Sequence, residues 1–220
     1  MKKLTLLFAG LFLLQSAFTH AQEVSYSLAG GYESKYVFRG ALLSEDSFQG
    51  SFDLAIDDLA LGIWTALPFT DEMDFGNEVD LYGSYTFATS ETGSITVGGT
   101  YYYYPDATDA STFEVYISAA LDTTGSPAAT LYYDLDLEVL TLEGSLGHSW
   151  DIADKTSFSV GGSLGWFEPD EGDGGYYIMS AADISYAITD DAGVSFGIRF
   201  SDLEDADEEF WFGASVSSAW

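Results

Sequence analysis

Polar and apolar residues alternate with a period of two along almost all of the chain after residue 22. The segment Phe113–Leu121 reads FEVYISAAL, and the segment Val194–Phe200 reads VSFGIRF. Successive side chains of a β-strand point to opposite faces, so each segment predicts a strand with one apolar face and one polar face. No helical period of comparable strength follows residue 22, and an all-β fold is therefore expected.

About twelve such runs are present, and most are near the roughly 9 to 11 residues that a tilted membrane strand needs. An even strand number, with tight turns alternating with longer loops, is typical of bacterial outer-membrane barrels. We therefore predict an antiparallel transmembrane β-barrel of about 12 strands, with the least defined strand division at 137–140. The predicted strands are 24–38, 47–57, 59–67, 77–88, 94–104, 111–122, 128–137, 140–150, 156–167, 175–188, 192–201 and 208–220. The predicted tight turns lie at 57–58, 90–93, 153–155 and 190–191, and the longer acidic loops at 40–47, 68–76, 105–110, 168–174 and 202–209.

The first 21 residues have the layout of a secretory signal peptide. Two lysines precede an apolar run over 4–18, and Thr19 and Ala21 supply small residues for a cleavage site. A membrane anchor is the weaker alternative, because the apolar run is too short to span a bilayer. Cleavage after Ala21 would leave 22–220 as one barrel domain in the cell outer membrane. The expected partners are outer-membrane lipid, periplasmic chaperones and the barrel-assembly machinery.

Charge and cysteine content exclude several classes of protein. The chain has 36 acidic and 6 basic residues, and its formal net charge of −30 opposes binding to nucleic acid. It has no cysteine, so disulfides, thiolate metal sites and a lipidated N-terminal cysteine are excluded. High net charge also marks disordered chains, but hydrophobic residues at 47% and aromatic residues at 16% argue against disorder here.

A soluble lipocalin-like barrel would also alternate, with its apolar face inward. Three features favour the membrane: many charges on the polar face, aromatic residues near strand ends, and an aromatic last strand. The aromatic residues predict interfacial girdles with Tyr101, Tyr103 and Trp166 on the loop side and Tyr85, Phe87, Trp150 and Trp220 on the turn side. The last strand is similar to the assembly signal of outer-membrane proteins, and the residues that would form this signal are Phe210, Phe212, Val216 and Trp220.

The charged residues of the polar face are candidates for lining the lumen and setting its selectivity. Lys35, Arg39 and Arg199 are cations, which either narrow the pore and orient a solute or neutralise neighbouring acids. The candidate lumen residues are Glu33, Lys35, Arg39, Asp53, Glu78, Asp80, Glu114, Asp134, Asp136, Glu143, Asp183 and Arg199.

Several short blocks between residues 30 and 104 carry a family resemblance. They are Gly31–Gly40 (GYESKYVFRG), Ser44, Gln49–Asp53 (QGSFD), Gly62–Trp64 (GIW), Glu78–Gly83 (EVDLYG) and Tyr101–Pro105 (YYYYP). In these blocks the chain resembles the start of the TorF family of outer-membrane porins, whereas the second half matches only in style. The resemblance implies an outer-membrane barrel and no particular solute, and the strong acidity leaves any typical selectivity open.

Signs of catalysis or of a bound cofactor are weak. His148 and Ser149 are adjacent, so they point to opposite faces of a strand and cannot form a working pair. The acidic segment 170–174 does not have the spacing of a twelve-residue calcium loop, and a solvated loop is the favoured interpretation. We therefore expect no enzyme activity, no cofactor and no metal site.

The sequence therefore predicts a porin-like channel for passive diffusion of small hydrophilic solutes or ions, with a preference for cations. A non-conducting structural or adhesive barrel that acts through its acidic loops is the second reading. A lipid-modifying enzyme is a third reading that no residue pattern supports.

Overall fold

The computed structural model describes residues 24–69 and 76–220, and the predicted signal peptide lies outside them. Within the described residues, twelve antiparallel strands close into a barrel. The strands are β1 (Val24–Phe38), β2 (Ala41–Ile56), β3 (Leu59–Pro68), β4 (Glu78–Ala88), β5 (Gly93–Tyr103), β6 (Thr112–Leu121), β7 (Ala128–Asp134), β8 (Val139–Ala153), β9 (Thr156–Pro169), β10 (Gly175–Ala187), β11 (Ala192–Leu203) and β12 (Glu209–Ala219). The predicted all-β barrel is thus confirmed.

Each strand pairs with its neighbours in sequence, and β1 closes the barrel by pairing with β12. The start of β1, the end of β12 and the β2–β3 turn therefore lie at one end, called here the turn end. The opposite end, called the loop end, holds the β3–β4 and β5–β6 connections, and the second of these includes a short 3-10 helix, Thr108–Ala110. No helix in the described part of the chain is long and apolar enough to cross a membrane.

The alternation of the sequence becomes an apolar outer surface and a polar interior. Val97 is 39% exposed on the outside, whereas its neighbour Thr96 is 8% exposed on the inside. The aromatic residues predicted to form two girdles, such as Tyr101 near the loop end and Trp150 near the turn end, are all exposed on the outer surface. Apolar side chains on this surface suit a hydrocarbon environment. Strand pairing in a closed barrel also satisfies the backbone N–H and C=O groups, which such an environment requires.

The two halves of the lumen differ in chemistry. Toward the turn end, small hydroxyl side chains bond between neighbouring strands, as in Thr86 with Thr96 at 2.9 Å and Ser195 with Ser215 at 2.7 Å. Toward the loop end, the inner face carries most of the charged residues and large tyrosines such as Tyr177. The turn-end half of the interior is therefore lined mainly by small neutral groups, with Asp53 as an exception, and the loop-end half is crowded with charge.

Two sequence predictions of loops and strands are wrong. The predicted loop at 40–47 is strand, because a two-residue turn at Arg39 and Gly40 lets β2 begin at Ala41. Both turn residues have positive φ, 48° and 87°, which is the geometry of the tightest hairpin turns. The predicted strand 128–137 ends at Asp134, since residues 135–138 form the turn to β8.

Candidate functional site in the barrel lumen

The hairpin of β1 and β2 leaves the barrel wall near the loop end. The wall pairing of β1 with β12 ends at Glu33, and the pairing of β2 with β3 begins at Ser47. Between these points the two strands pair only with each other, and their register shifts between Tyr36 and Val37. Residues 35–45 are called here the tip hairpin.

The tip hairpin bends into the lumen, and its turn contacts the wall at β10 and β11. Gly40 is buried at its turn, and a Cβ at this position would lie 2.9 Å from the Cβ atoms of Tyr177 on β10 and Leu203 on β11. The Tyr36 ring lies 5.3 Å from the ring of Trp64 on β3, measured between centroids, and the Phe38 ring lies 5.8 Å from that of Tyr102 on β5. The tip hairpin therefore narrows the lumen at the loop end.

Arg39 anchors the tip hairpin to the far side of the barrel. Its guanidinium donates two hydrogen bonds to the carboxylate of Glu114 on β6, at 2.6 and 2.9 Å. The same group lies 4.2 Å from the ring centroid of Tyr132 on β7, which is cation–π distance. The side chain of Glu114 is 4% exposed, so this ion pair is shielded from water and strengthened by its two-point geometry.

A second charged group braces the wall where β1 meets β12. Arg199 on β11 lies 2.8 Å from Asp183 on β10 and 3.6 Å from Glu33 on β1. The row Glu33, Gly213, Gly197, Asp183 runs straight across four paired strands. A Cβ at either glycine would overlap these charged side chains, so the two glycines provide the space in which the ion pairs form.

Lys35 completes the set of lumenal cations. Its ammonium group lies 2.5 Å from the carboxylate of Glu209 on β12 and 3.8 Å from that of Glu45 on β2. Lys35, Arg39 and Arg199 therefore all have acidic partners within the described residues. The fourth described cation, Lys155, belongs to the β8–β9 turn. The lumenal charge left without a cationic partner is consequently negative.

Other lumenal acids are held by tyrosines or by the backbone. Tyr177 donates a hydrogen bond to Glu143 at 2.7 Å, and Tyr82 donates one to Asp53. Asp134 accepts hydrogen bonds from the backbone N–H groups of the following turn, at 2.9 and 2.8 Å.

Glu78 and Asp80 differ from these acids. They lie two residues apart on β4, so they share the inner face, and they are 3% and 2% exposed. Tyr104 donates a hydrogen bond to Glu78 at 3.4 Å, but the Glu78 Oε2 and Asp80 Oδ1 atoms have no hydrogen-bond partner. Among the described residues, no lysine or arginine lies within ion-pair distance of either carboxylate.

The structure brings eleven of the twelve candidate lumen residues to the inner face or, for Lys35 and Arg39, to the tip hairpin. Asp136 is the exception and corrects the prediction: it is exposed in the β7–β8 turn, where it accepts a hydrogen bond from the Phe113 backbone at 2.8 Å. The candidates for the assembly signal lie on the outer surface, with Phe210 and Trp220 among the most exposed large side chains. Sequence reasoning missed the lumenal aromatics Trp64, Tyr102, Tyr132 and Tyr177, although their positions in the alternation identify them as inward-facing.

A cavity of about 130 Å³ lies beside the tip hairpin. Its wall includes charged residues of both signs, among them Lys35, Asp80 and Arg199, and the aromatic residues Trp64 and Tyr132. The described residues contain no group of three or more histidine, aspartate or glutamate side chains that could hold a metal ion. His148 packs against Trp150 on the outer surface with ring centroids 4.6 Å apart. The adjacent Ser149 points to the opposite face of the strand.

Sequence and fold comparisons place the chain among bacterial barrels. The sequence model of Gcw_chp, a bacterial protein of unknown function, matches residues 16–212. No curated protein matches the chain.

Three solved structures share the fold. The KdgM porin is similar with a TM-score of 0.62 and 12% identity, over 87% of this chain and 98% of that one. The NanC porin is similar with a TM-score of 0.57 and 12% identity, over 87% and 97%. An outer membrane channel from Pseudomonas putida F1 is similar with a TM-score of 0.56 and 10% identity, over 92% and 97%.

Proposed function

We propose that this chain, which belongs to the Gcw_chp family of bacterial proteins of unknown function, is an outer-membrane channel for small hydrophilic solutes. The observation that carries the proposal is a closed barrel that is apolar outside and polar inside. A soluble barrel encloses its apolar face, so the reverse arrangement supports a membrane location. The porin folds to which the barrel is similar support the same class.

The tip hairpin sets the size of solute that this channel would pass. A tip that reaches from β1 to Glu114 on β6 divides the lumen at the loop end. Small solutes and ions would pass beside the tip hairpin, and large ones would be excluded. The half lined mainly by small hydroxyl side chains would serve as a less highly charged vestibule on the other side.

The channel is proposed to prefer cations. The three lumenal cations are already paired with acids, whereas Glu78 and Asp80 have no cationic partner among the described residues. A narrow passage with walls of low dielectric constant concentrates counter-ions of the opposite sign. The remaining negative charge therefore favours cations over anions.

Single-channel recording on refolded protein tests the proposal. Stepwise, reproducible conductance in a planar lipid bilayer is the expected result. Heat-modifiable mobility in gel electrophoresis provides a control, since it reports that the barrel is folded. A folded, inserted barrel without conductance at any voltage would overturn the channel proposal.

One observation favours a second function, a non-conducting structural or adhesive barrel. The tip hairpin fills much of the loop-end lumen, and exposed acids such as Asp170 and Glu171 crowd the same end. Such a barrel would act through its surface loops, and the same recording separates the two functions. Neither function requires catalysis, and the narrower resemblance to the TorF family stays a prediction.

A further inference from the structure

We infer that the cavity beside the tip hairpin binds a small organic ammonium ion, with Asp80 as its acidic contact and Glu78 as the acid that shares the negative charge with Asp80. The inference names a solute class for the channel, and in that respect it rests on the proposed function. The site itself is a feature of the folded barrel and can be tested without any measurement of conduction.

Asp80 presents an unsatisfied carboxyl oxygen at the wall of the cavity. Asp80 lines the cavity and is 2% exposed, yet its Oδ1 atom has no hydrogen-bond partner. A buried carboxyl oxygen without a hydrogen-bond partner is unfavourable, and an ammonium guest that donates a hydrogen bond to it would remove this cost. Glu78 lies beside Asp80 on the same face of β4, and two adjacent buried carboxyl groups carry one shared negative charge that such a guest would neutralise.

The three lumenal cations are each paired with an acid other than Asp80. Arg39, Arg199 and Lys35 bind Glu114, Asp183 and Glu209, at distances of 2.5–2.8 Å between charged atoms. These geometries leave the three cations engaged with acids other than Asp80. Within the described residues the protein therefore supplies no cation to Asp80, and a guest would have to supply it.

The aromatic lining indicates which kind of cation fits. Trp64, Tyr36, Tyr132 and Trp211 all line the cavity. Tryptophan and tyrosine rings attract alkylated ammonium groups through their electron-rich faces. An inorganic divalent ion would instead need several oxygen ligands, and the described residues offer no cluster of three acids or histidines. The lining therefore favours an organic ammonium ion over a metal ion.

The cavity volume is compatible with such a guest. At about 130 Å³ it is well above the roughly 10–15 Å³ that one water needs by the same measure. The ammonium head would lie near Asp80, and its methyl or methylene groups would contact the rings of Trp64 and Tyr132.

The test is isothermal titration calorimetry of refolded barrel in detergent with tetramethylammonium chloride at constant ionic strength. We expect saturable binding that Asp80→Asn weakens by at least about tenfold, since one charge-assisted contact is lost. Asp53→Asn is the matched control, because Asp53 is a lumenal aspartate that hydrogen-bonds to Tyr82 and does not line the cavity. Asp53→Asn should leave the affinity unchanged.

A second variant and two competitors keep the result clear even if Asp80→Asn folds poorly. Trp64→Leu should weaken tetramethylammonium binding, and neither tert-butanol nor potassium should compete at equal concentration. The inference is overturned if the wild-type barrel does not bind tetramethylammonium, if tert-butanol or potassium competes equally, or if Asp53→Asn weakens binding as much as Asp80→Asn does. Binding without any conductance would retain the site and reject the channel.

Discussion

Arg39 and Glu114 are joined by two hydrogen bonds of 2.6 and 2.9 Å, although they are 75 residues apart in the chain. Arg39 belongs to the first hairpin, and Glu114 belongs to β6 on the far side of the barrel. The ion pair therefore holds the tip hairpin across the lumen. It links the width of the passage to the stability of the fold, and the two effects can be measured separately.

Arg39→Ala should raise single-channel conductance and lower the free energy of unfolding by about 3 kcal/mol. Conductance rises because the guanidinium no longer occupies the lumen, and stability falls because Glu114 stays buried without its partner. Denaturant unfolding and bilayer recording give the two values. The double variant Arg39→Ala with Glu114→Gln should recover part of the stability and keep the higher conductance. A loss of stability with unchanged conductance would mean that Arg39 only neutralises Glu114.

Gly40→Ala should withdraw the tip hairpin and also raise conductance. A Cβ at Gly40 would lie 2.9 Å from the Cβ atoms of Tyr177 and Leu203, so the tip can no longer reach the wall. Gly125→Ala is the matched control, since Gly125 has nearly the same φ, +88° against +87°, and nothing lies within 4 Å of its Cβ position. Each variant bears the backbone cost of about 1 kcal/mol, but only Gly40→Ala should change conductance. Equal conductance in the two variants would argue against contact between the tip and the wall.

Val97→Arg should destabilise the barrel in lipid by about 2–4 kcal/mol, whereas Thr96→Arg should cost much less. Val97 is exposed on the outer surface and Thr96 faces the lumen, so only the first arginine would meet hydrocarbon. Unfolding of the two variants from lipid vesicles measures the difference. Equal costs, or a larger cost for Thr96→Arg, would contradict a membrane environment for the outer face.

Deletion of Trp220, or Phe212→Asp, should reduce insertion into the outer membrane more than Ser217→Ala does. Phe212 and Trp220 are 45% and 61% exposed on the outer surface, whereas Ser217 is buried on the inner face. Fractionation of cells and gel mobility of the folded barrel measure insertion. Normal assembly of the Trp220 deletion would show that the aromatic end is not an assembly signal.

The open channel should prefer cations in a potassium chloride gradient, as measured by the reversal potential. Glu78→Gln combined with Asp80→Asn should reduce this preference, because it removes two of the lumenal acids that have no cationic partner among the described residues. The part of the preference due to the acidic loops should fade with salt, since the Debye length falls from about 10 Å at 0.1 M to about 3 Å at 1 M. Anion preference would reject the assignment of lumenal charge.

The period of two in the sequence was enough to predict the class of fold and which side chains point inward. It could not predict the tip hairpin, because the alternation breaks at Tyr36–Phe38 and Ala41–Leu43 and the pattern over 40–47 predicts a loop. A strand pattern records which faces are polar and apolar, and it carries no information on whether the strand stays in the sheet or bends across the lumen.

The prediction that Asp136 faces the lumen was wrong for a related reason. Leu135 and Leu137 extend the alternation of β7 through its turn, so the strand appeared to continue. The ion pairs of Arg39 with Glu114 and of Lys35 with Glu209 were beyond sequence reasoning, because they join residues 75 and 174 positions apart in the chain. The contact between Arg39 and Glu114 depends on the bend of one hairpin, which no local pattern encodes.

The strand that closes the barrel also carries the segment that occludes it. One edge of β1 pairs with β12 as far as Glu33, and the C-terminal end of β1 continues into the tip hairpin. A force that pulls the tip hairpin out of the lumen is transmitted along β1 to its pairing with β12, where Glu33 and Arg199 form an ion pair. Opening of the lumen at the loop end and separation of β1 from β12 are thus mechanically coupled.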